Sequence, residues 1–247
     1  MADLLRQAEA PQRGPAFDPR LCRREFRIGS ADYFDLFILP GLMAHMAVEA
    51  PQIDLRLRSP DLDEGLDMLD AGELDFLLHK EAPAAKRFGV RTAMQDLHAF
   101  TVRSDHPRVR AMPDIGLFAD LAHVNFSQRG DSESHVDETL ARMGYRRRVA
   151  VTTQHMGTVA HLVRTTDLVA TVPGRLARKM VDEGGITAYP LPFEIACVPI
   201  ALYWNRRFEL DGATRWMRDA LVRFCQSVPP AALPFQQGRP REVAAAR

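Results

Sequence analysis

Phe26-Arg27-Ile28-Gly29-Ser30-Ala31-Asp32-Tyr33-Phe34, running on through Leu36, Phe37, Ile38, Leu39 and Leu42, changes its period within a few residues. Phe26 and Ile28 followed by small residues read as a buried strand that stops at residues 30–32. From residue 34 to 48 the apolar spacing is helical, although Pro40-Gly41 breaks the propensity rule, at roughly 3 kcal/mol for an interior proline. A kink or a late helix start accounts for that break. A strand that ends in small polar residues before a helix leaves backbone N–H groups aimed above the sheet edge. Open α/β sheets bind ligands beyond the carboxyl ends of their strands for this reason. The stretch therefore predicts a ligand cleft organised around this turn.

The same alternation continues along the chain. Ile53, Leu55 and Leu57 interleave with Asp54, Arg56 and Arg58 as a half-buried strand. Asp61 with Glu64 has the form of a capping box, Leu62, Leu66 and Leu69 make a helix face, and Gly72 ends it. Residues 74–79 form the next strand, so the order is βαβαβ, the signature of a parallel sheet. Residues 98–104 and 124–126 read as strands separated by a loop at 106–114. A helix over 133–143 closes at Gly144, a strand covers 149–152, and Met156, Val159, Leu162 and Val163 mark another helix. A strand at 168–172 leads to Pro173-Gly174 and a helix stopped by Gly184-Gly185. A strand at 199–204 precedes the cleanest helical stripe, Ala213, Trp216, Met217, Ala220, Leu221 and Phe224. No internal sequence repeat is evident. The fold class is α/β.

Composition narrows the function. The 247 residues are 46% hydrophobic and 26% charged, with zero formal net charge, which does not indicate a nucleic-acid surface spread over the chain. Cys22, Cys197 and Cys225 are scattered, without metal-ligand spacing, and read as free thiols of a reducing compartment. No apolar run approaches the roughly 20 residues of a membrane span, and the mixed-charge start is no signal peptide, so a cytoplasmic location is expected. The eight histidines form no metal pair on one helix face, and no nucleophile elbow or phosphate loop appears. No cofactor, metal or catalytic residue is expected, and the chain is not read as an enzyme.

Several segments together resemble the effector-binding portion of LysR-type transcriptional regulators. They are the opening strand at 26–33; Leu69-Asp70-Ala71-Gly72-Glu73-Leu74-Asp75; Thr101-Val102-Arg103-Ser104-Asp105-His106-Pro107; Asp167-Leu168-Val169-Ala170-Thr171-Val172-Pro173; and Leu202-Tyr203-Trp204-Asn205-Arg206-Arg207 with Arg215-Trp216-Met217-Arg218. The last two are closest to the nodulation and aromatic-degradation branch. The resemblance covers about residues 17–227.

It implies two Rossmann-like lobes joined by two crossing strands, a fold similar to type 2 periplasmic binding proteins. Lobe I takes 25–98 and 202–227, lobe II takes 99–201, residues 1–24 hold the remnant of a linker helix, and 228–247 form a disordered tail. It also implies a winged helix-turn-helix ahead of such a portion. No helix-turn-helix pattern is read here, so the expectation is a truncated chain that reaches DNA only through that missing domain. The implied partners are a small effector and a second copy of the domain, with a tetramer when full length, and no membrane. The helix after Asp32 and the strand at 53–57 are the expected pairing surfaces. A stand-alone solute-binding protein, or an enzyme of the same fold, is the alternative.

The expected effector residues follow the strand ends. Ser30, Ala31, Asp32, Tyr33 and Phe34 stand at one helix start; Gln154, His155, Met156 and Thr158 stand at the other, with Thr152 and Thr153 as possible caps. Two helix starts facing each other favour a small, plausibly aromatic carboxylate, with Phe34, Phe100 and Met156 as apolar walls. Asp32 and Asp35 oppose this and must cap their helix or turn away. Asn125, with Ser127, Gln128 and Ser132, offers further polar contacts, while His79 and Phe100 are placed near the hinge. Gln154 and His155 are the best candidates, His135 serves as a neutral control, and Arg146-Arg147-Arg148 reads as a solvated turn.

Overall fold

β1 (Arg24–Gly29) lies between two parallel neighbours, β2 (Ile53–Arg58) and β3 (Phe76–Lys80). The structure, a computed structural model, describes residues 17–127, 130, 134–197 and 199–228. The expected linker remnant up to residue 16, Gln128, Ser132 and the tail beyond Val228 lie outside the described residues.

The first sheet has the order β2-β1-β3-β10-β4, adding β4 (Phe88–Met94) and β10 (Ile200–Asn205). β10 runs antiparallel to both its neighbours. The second sheet has the order β7-β6-β8-β5-β9, built from β5 (His98–Arg103), β6 (Ala122–Phe126), β7 (Arg148–Thr153), β8 (Val169–Pro173) and β9 (Ile186–Tyr189). There β5 is the antiparallel strand between β8 and β9. Each sheet thus has three parallel strands, one strand entering from the other lobe and an antiparallel edge. A structural repeat exists where no sequence repeat is evident. The chain passes between sheets at 95–97 and again at 190–199.

Helix α1 (Asp32–Glu49) runs on through Pro40, so the late start considered from sequence does not occur. Asp61 accepts the Glu64 N–H at 3.0 Å and so caps α2 (Leu62–Ala71). Gly72 ends that helix at φ 75°, a left-handed conformation that disfavours a Cβ. Asp75, the last residue of the Leu69–Asp75 motif, accepts the Arg27 N–H at 2.8 Å and meets Arg24 at 3.3 Å. The motif's acid therefore ties the start of β3 to β1. His106 is likewise buried, with Nε2 against the Asp167 carbonyl at 3.1 Å.

Among the strands and α-helices, three were not read from sequence: β4, β9 and α3 (Ile115–Asp120), the last capped by Asp114 at 2.8 Å from the Leu117 N–H. The remaining helices are α4 (His135–Arg142), α5 (Met156–Thr165), α6 (Gly174–Asp182) and α7 (Gly212–Ser227). One apolar core joins α1 and α7 to α5 and α6 across the lobes, through Phe34, Met156, Leu176 and Met217 among others. Two smaller cores cover the outer faces, one around Leu69, Leu77 and Tyr203, the other around Phe100, Phe118 and Leu140.

Gly89 of β4 sits opposite Trp204 of β10, and a Cβ there would run into the indole ring. Gly89→Ala is expected to destabilise the domain by about 1–3 kcal/mol, read as a lower urea midpoint. An unchanged midpoint would mean that the ring moves aside freely.

Candidate functional site

The strand ends of the two sheets meet at the crossing segments, and the polar groups there are disposed very differently on the two sides. On the first lobe, Ser30 is 2% exposed and its hydroxyl donates to the Asp35 carboxylate. Burial raises the Asp35 pKa; the Ser30 hydrogen bond opposes that, and the neighbouring Asp32 charge adds to it. Ala31 occupies the cap position of α1 without a side-chain bond. Asp32 neither caps its own helix nor turns away. Its Oδ2 accepts the Met156 N–H at 2.7 Å, the first amide of α5 in the other lobe. That contact corrects the expected disposition: a carboxylate at the first turn of α1 lies in the favourable field of α5 as well. Its second oxygen, Oδ1, is buried without a hydrogen-bond partner.

Tyr33 packs edge-on against Phe34 and Phe37, with ring centres 5.0 and 5.2 Å away. Its hydroxyl donates to Asp96 in the first crossing segment. Burial, with the Asp96 charge second, holds the phenol pKa far above its ordinary value. Asp96 also meets the Arg175 guanidinium at 3.3 Å, and both side chains are under a tenth exposed. Arg175 donates further to the carbonyls of Gln95 at 2.6 Å and Val228 at 2.8 Å. The Cys197 thiol donates to the Asp96 carbonyl at 2.9 Å and so ties the two crossing segments together.

The second lobe presents unmatched groups. His98 begins β5, and the register sets Phe100 opposite Thr171 and His98 opposite Pro173. Alternation therefore puts His98 and Thr171 on one face of the sheet. His98 Nδ1, Thr171 Oγ1 and His135 Nε2 are all buried without a hydrogen-bond partner. His135 begins α4, with Nδ1 3.2 Å from Glu138. Burial lowers the His98 pKa; the Lys80 charge and His135 push the same way, and Asp96 opposes them. His98 also borders a cavity of about 170 Å³ walled by Leu97, Leu191, Phe193, Ile195 and Cys197. The groups suit the binding of a small molecule that carries hydrogen-bonding atoms. Among the described residues no group of three His, Cys, Asp or Glu is arranged to hold a metal.

The expected residues divide. Phe100 is fully buried, 5.2 Å from Phe118, in the outer core of the second lobe. It shares the face of His98 and Thr171 but lies two residues further along β5, where Phe118 of α3 and Val136 and Leu140 of α4 pack over it, so its ring is core. Gln154, His155 and Thr158 are exposed, while Met156 is buried. Asn125 is bonded through Oδ1 to Arg147 at 3.3 Å. Arg147 itself corrects the reading of a solvated turn: its side chain is 1% exposed and meets Asp137 at 2.7 Å. His79 lies on β3 opposite Ala201 of β10. Sequence reasoning did not single out His98, Thr171 or, except as a control, His135 as candidates. Only the alternation along 98–102, carried across to β8, would have found the first two.

The domain architecture and its cleft define a periplasmic-binding-protein-like effector domain. The chain belongs to the LysR substrate-binding domain family, whose pattern matches residues 20–226. It is similar to the HTH-type transcriptional activator NagR of a Ralstonia species, with 27% identity over 207 residues covering 84% of this chain and 69% of that protein. Among solved structures, a probable transcriptional regulator of Pseudomonas aeruginosa matches with TM-score 0.77 and 27% identity, over 89% of this chain and 73% of that one. The effector-binding domain of QuiR in complex with shikimate shares the fold at TM-score 0.67 and 13% identity, over 83% of this chain and 98% of that one. No helix among the described residues is long and apolar enough to cross a membrane.

His123 lies on β6 opposite Val169 of β8 and is fully buried. Nε2 is 2.8 Å from the Phe118 carbonyl and Nδ1 faces Arg147 at 3.4 Å, an arrangement that suits the neutral ring. Burial, then the Arg147 charge, lowers its pKa from 6.5 to about 4. Below pH 6.5 the unfolded chain takes up a proton that the folded chain refuses. The stabilisation is therefore whole above pH 6.5 and is lost as pH falls towards about 4, amounting to roughly 3 kcal/mol. Urea midpoints measured through this window should fall steeply in the wild type and less in His123→Gln. Parallel slopes would show that His123 does not titrate between the two states.

Proposed function

We propose that this chain is the effector-sensing part of a LysR-family DNA-binding regulator and holds a small carboxylate between its lobes. DNA is contacted through a helix-turn-helix domain of the kind named in NagR, not through these lobes, and no catalytic step is assigned to them. One observation carries the reading: His98 Nδ1, Thr171 Oγ1 and His135 Nε2 are buried polar atoms without partners. Such atoms are unfavourable unless something hydrogen-bonds to them. A ligand supplies that partner here, and the nearby Lys80 charge favours an anionic one. The carboxylate thus sits on the second lobe, not between two helix starts, since Asp32 and Asp35 occupy those. The shikimate of QuiR, a ring bearing a carboxylate and hydroxyls, is a ligand of the same chemistry on the same fold.

A thermal-shift screen of small aromatic and aliphatic carboxylates should yield a stabilising ligand, worth about 2.7 kcal/mol at a hundredfold excess over its Kd. Calorimetric titration of that ligand should then show His98→Ala and Thr171→Val weakening it by about 1–3 kcal/mol each. His155→Ala should weaken it less, its side chain being exposed. Equal affinities for the His98 variant and the wild type would remove the second lobe as the binding face.

The domain also pairs with a second copy, and pairs of pairs form in the full-length regulator. Leu36, Met43 and Val48 of α1 and Leu57 of β2 are exposed apolar side chains on neighbouring elements. Such a patch is characteristic of a protein–protein surface. Sedimentation should give a dimer at micromolar concentration and a monomer for the Met43→Glu, Val48→Asp double variant. A wild type that remains monomeric at high concentration would count against this surface.

A further inference from the structure

The contacts that cross between the lobes gather on two adjacent residues at the start of α1. Asp32 accepts the first amide of α5, 124 positions along the chain. His155, at the cap position of α5, supplies no side-chain bond of its own. Tyr33 donates to Asp96, to which the first turn of α6 is bound by the Arg175 N–H at 3.2 Å and the guanidinium at 3.3 Å. Arg175 in turn holds the Val228 carbonyl, at the end of α7 in the first lobe. Two helices of the second lobe are thus fastened at their starts to one turn of the first. If the lobes swung apart at α1, the Met156 N–H would lose its acceptor. The Asp32 carboxylate would lose that donor in turn.

We propose that Asp32 is an internal latch: its carboxylate fills the place of an anion at the start of α5 and holds the lobes closed without any effector. The latch rests on the two-lobed cleft of the preceding reading but not on that cleft's ligand. The resting domain is closed, and an effector acts by rearranging a closed cleft, not by drawing open lobes together. An effector anion that reached the α5 start would have to displace Asp32. Because α1 also carries the exposed Leu36, Met43 and Val48, release of its first turn reaches the surface where a second copy packs.

The test is chemical rescue, with formate as the probe and chloride at matched ionic strength as the control. Wild type, Asp32→Ala and Asp32→Asn are compared by small-angle scattering, thermal melting and amide exchange. Asp32→Ala should show a larger radius of gyration and a lower Tm, and its Met156 amide should exchange about tenfold faster. Formate should reverse all three in Asp32→Ala and leave the wild type unchanged. Asp32→Asn keeps an acceptor oxygen and should lie between the two, so it serves if the alanine variant folds poorly. Scattering and Met156 exchange equal to wild type in both variants would overturn the latch. So would a loss of stability in Asp32→Ala that formate and chloride affect alike. Neither outcome involves the effector, so the carboxylate reading of the second lobe would stand or fall separately.

Discussion

The buried pair of Arg175 and Asp96 is the constraint on which the rest of the domain hangs. Both side chains are almost removed from water, and a buried ion pair is tolerable only when its remaining donors and acceptors are matched. Most of the matching is drawn from distant parts of the molecule, with Asp96 Oδ1 left without a partner. Gln95 and Val228 supply carbonyls, Tyr33 supplies a hydroxyl and Cys197 binds the Asp96 backbone. Those residues come from the first crossing segment, the end of α7, the start of α1 and the second crossing segment. Desolvation therefore makes the relative placement of the lobes part of the price of burying one charge pair. The shared apolar core through Phe34 and Met156 adds bulk attraction, but it is the charged groups that demand a particular geometry.

The two lobes have one topology and opposite polar economies. In the first, the strand-end groups are largely consumed, Ser30 by Asp35, Tyr33 by Asp96 and one oxygen of Asp32 by the other lobe, with Asp32 Oδ1 and Asp96 Oδ1 left over. In the second, the face that carries His98 and Thr171 keeps polar atoms unmatched. A helix start attracts anions only while its field is free, and the acids that stand at the starts of α1 and α5 take up that field. This asymmetry explains why the positions that look most alike in sequence, the two strand-to-helix turns, are unlike in chemistry.

Much of the fold was legible because it depends on local rules. The strand over 53–58, the Asp61 cap and the Gly72 stop each act within a few residues, and each is where the pattern puts it, although Leu57 is exposed. β4 and β9 were not legible. β4 includes Gly89 and a run of exposed residues, because it is an edge strand paired only to β10, and β9 is four residues long. Pro40 shows the converse, a local rule overridden when α1 packs Ile38, Leu42 and Met46 into the core. The site was less legible than the fold. Ser30 and Asp32 do lie at the lobe junction, yet the partner of Asp32 is 124 residues away. Phe100 is core because α3, unread in the sequence, supplies Phe118 against it.

By itself the sequence determined the α/β class, the order of the main strands and helices, and the motifs that place the chain in its family. These rest on periodicity, caps and turns, which are interactions among neighbours along the chain. Only the tertiary structure decided that Asp32 serves the other lobe's helix, that Arg147 is buried against Asp137, and that His98 and Thr171 share one face with unmatched atoms. Those outcomes depend on which distant groups are brought out of water together. Desolvation is a property of the assembled interior, and no residue carries it alone.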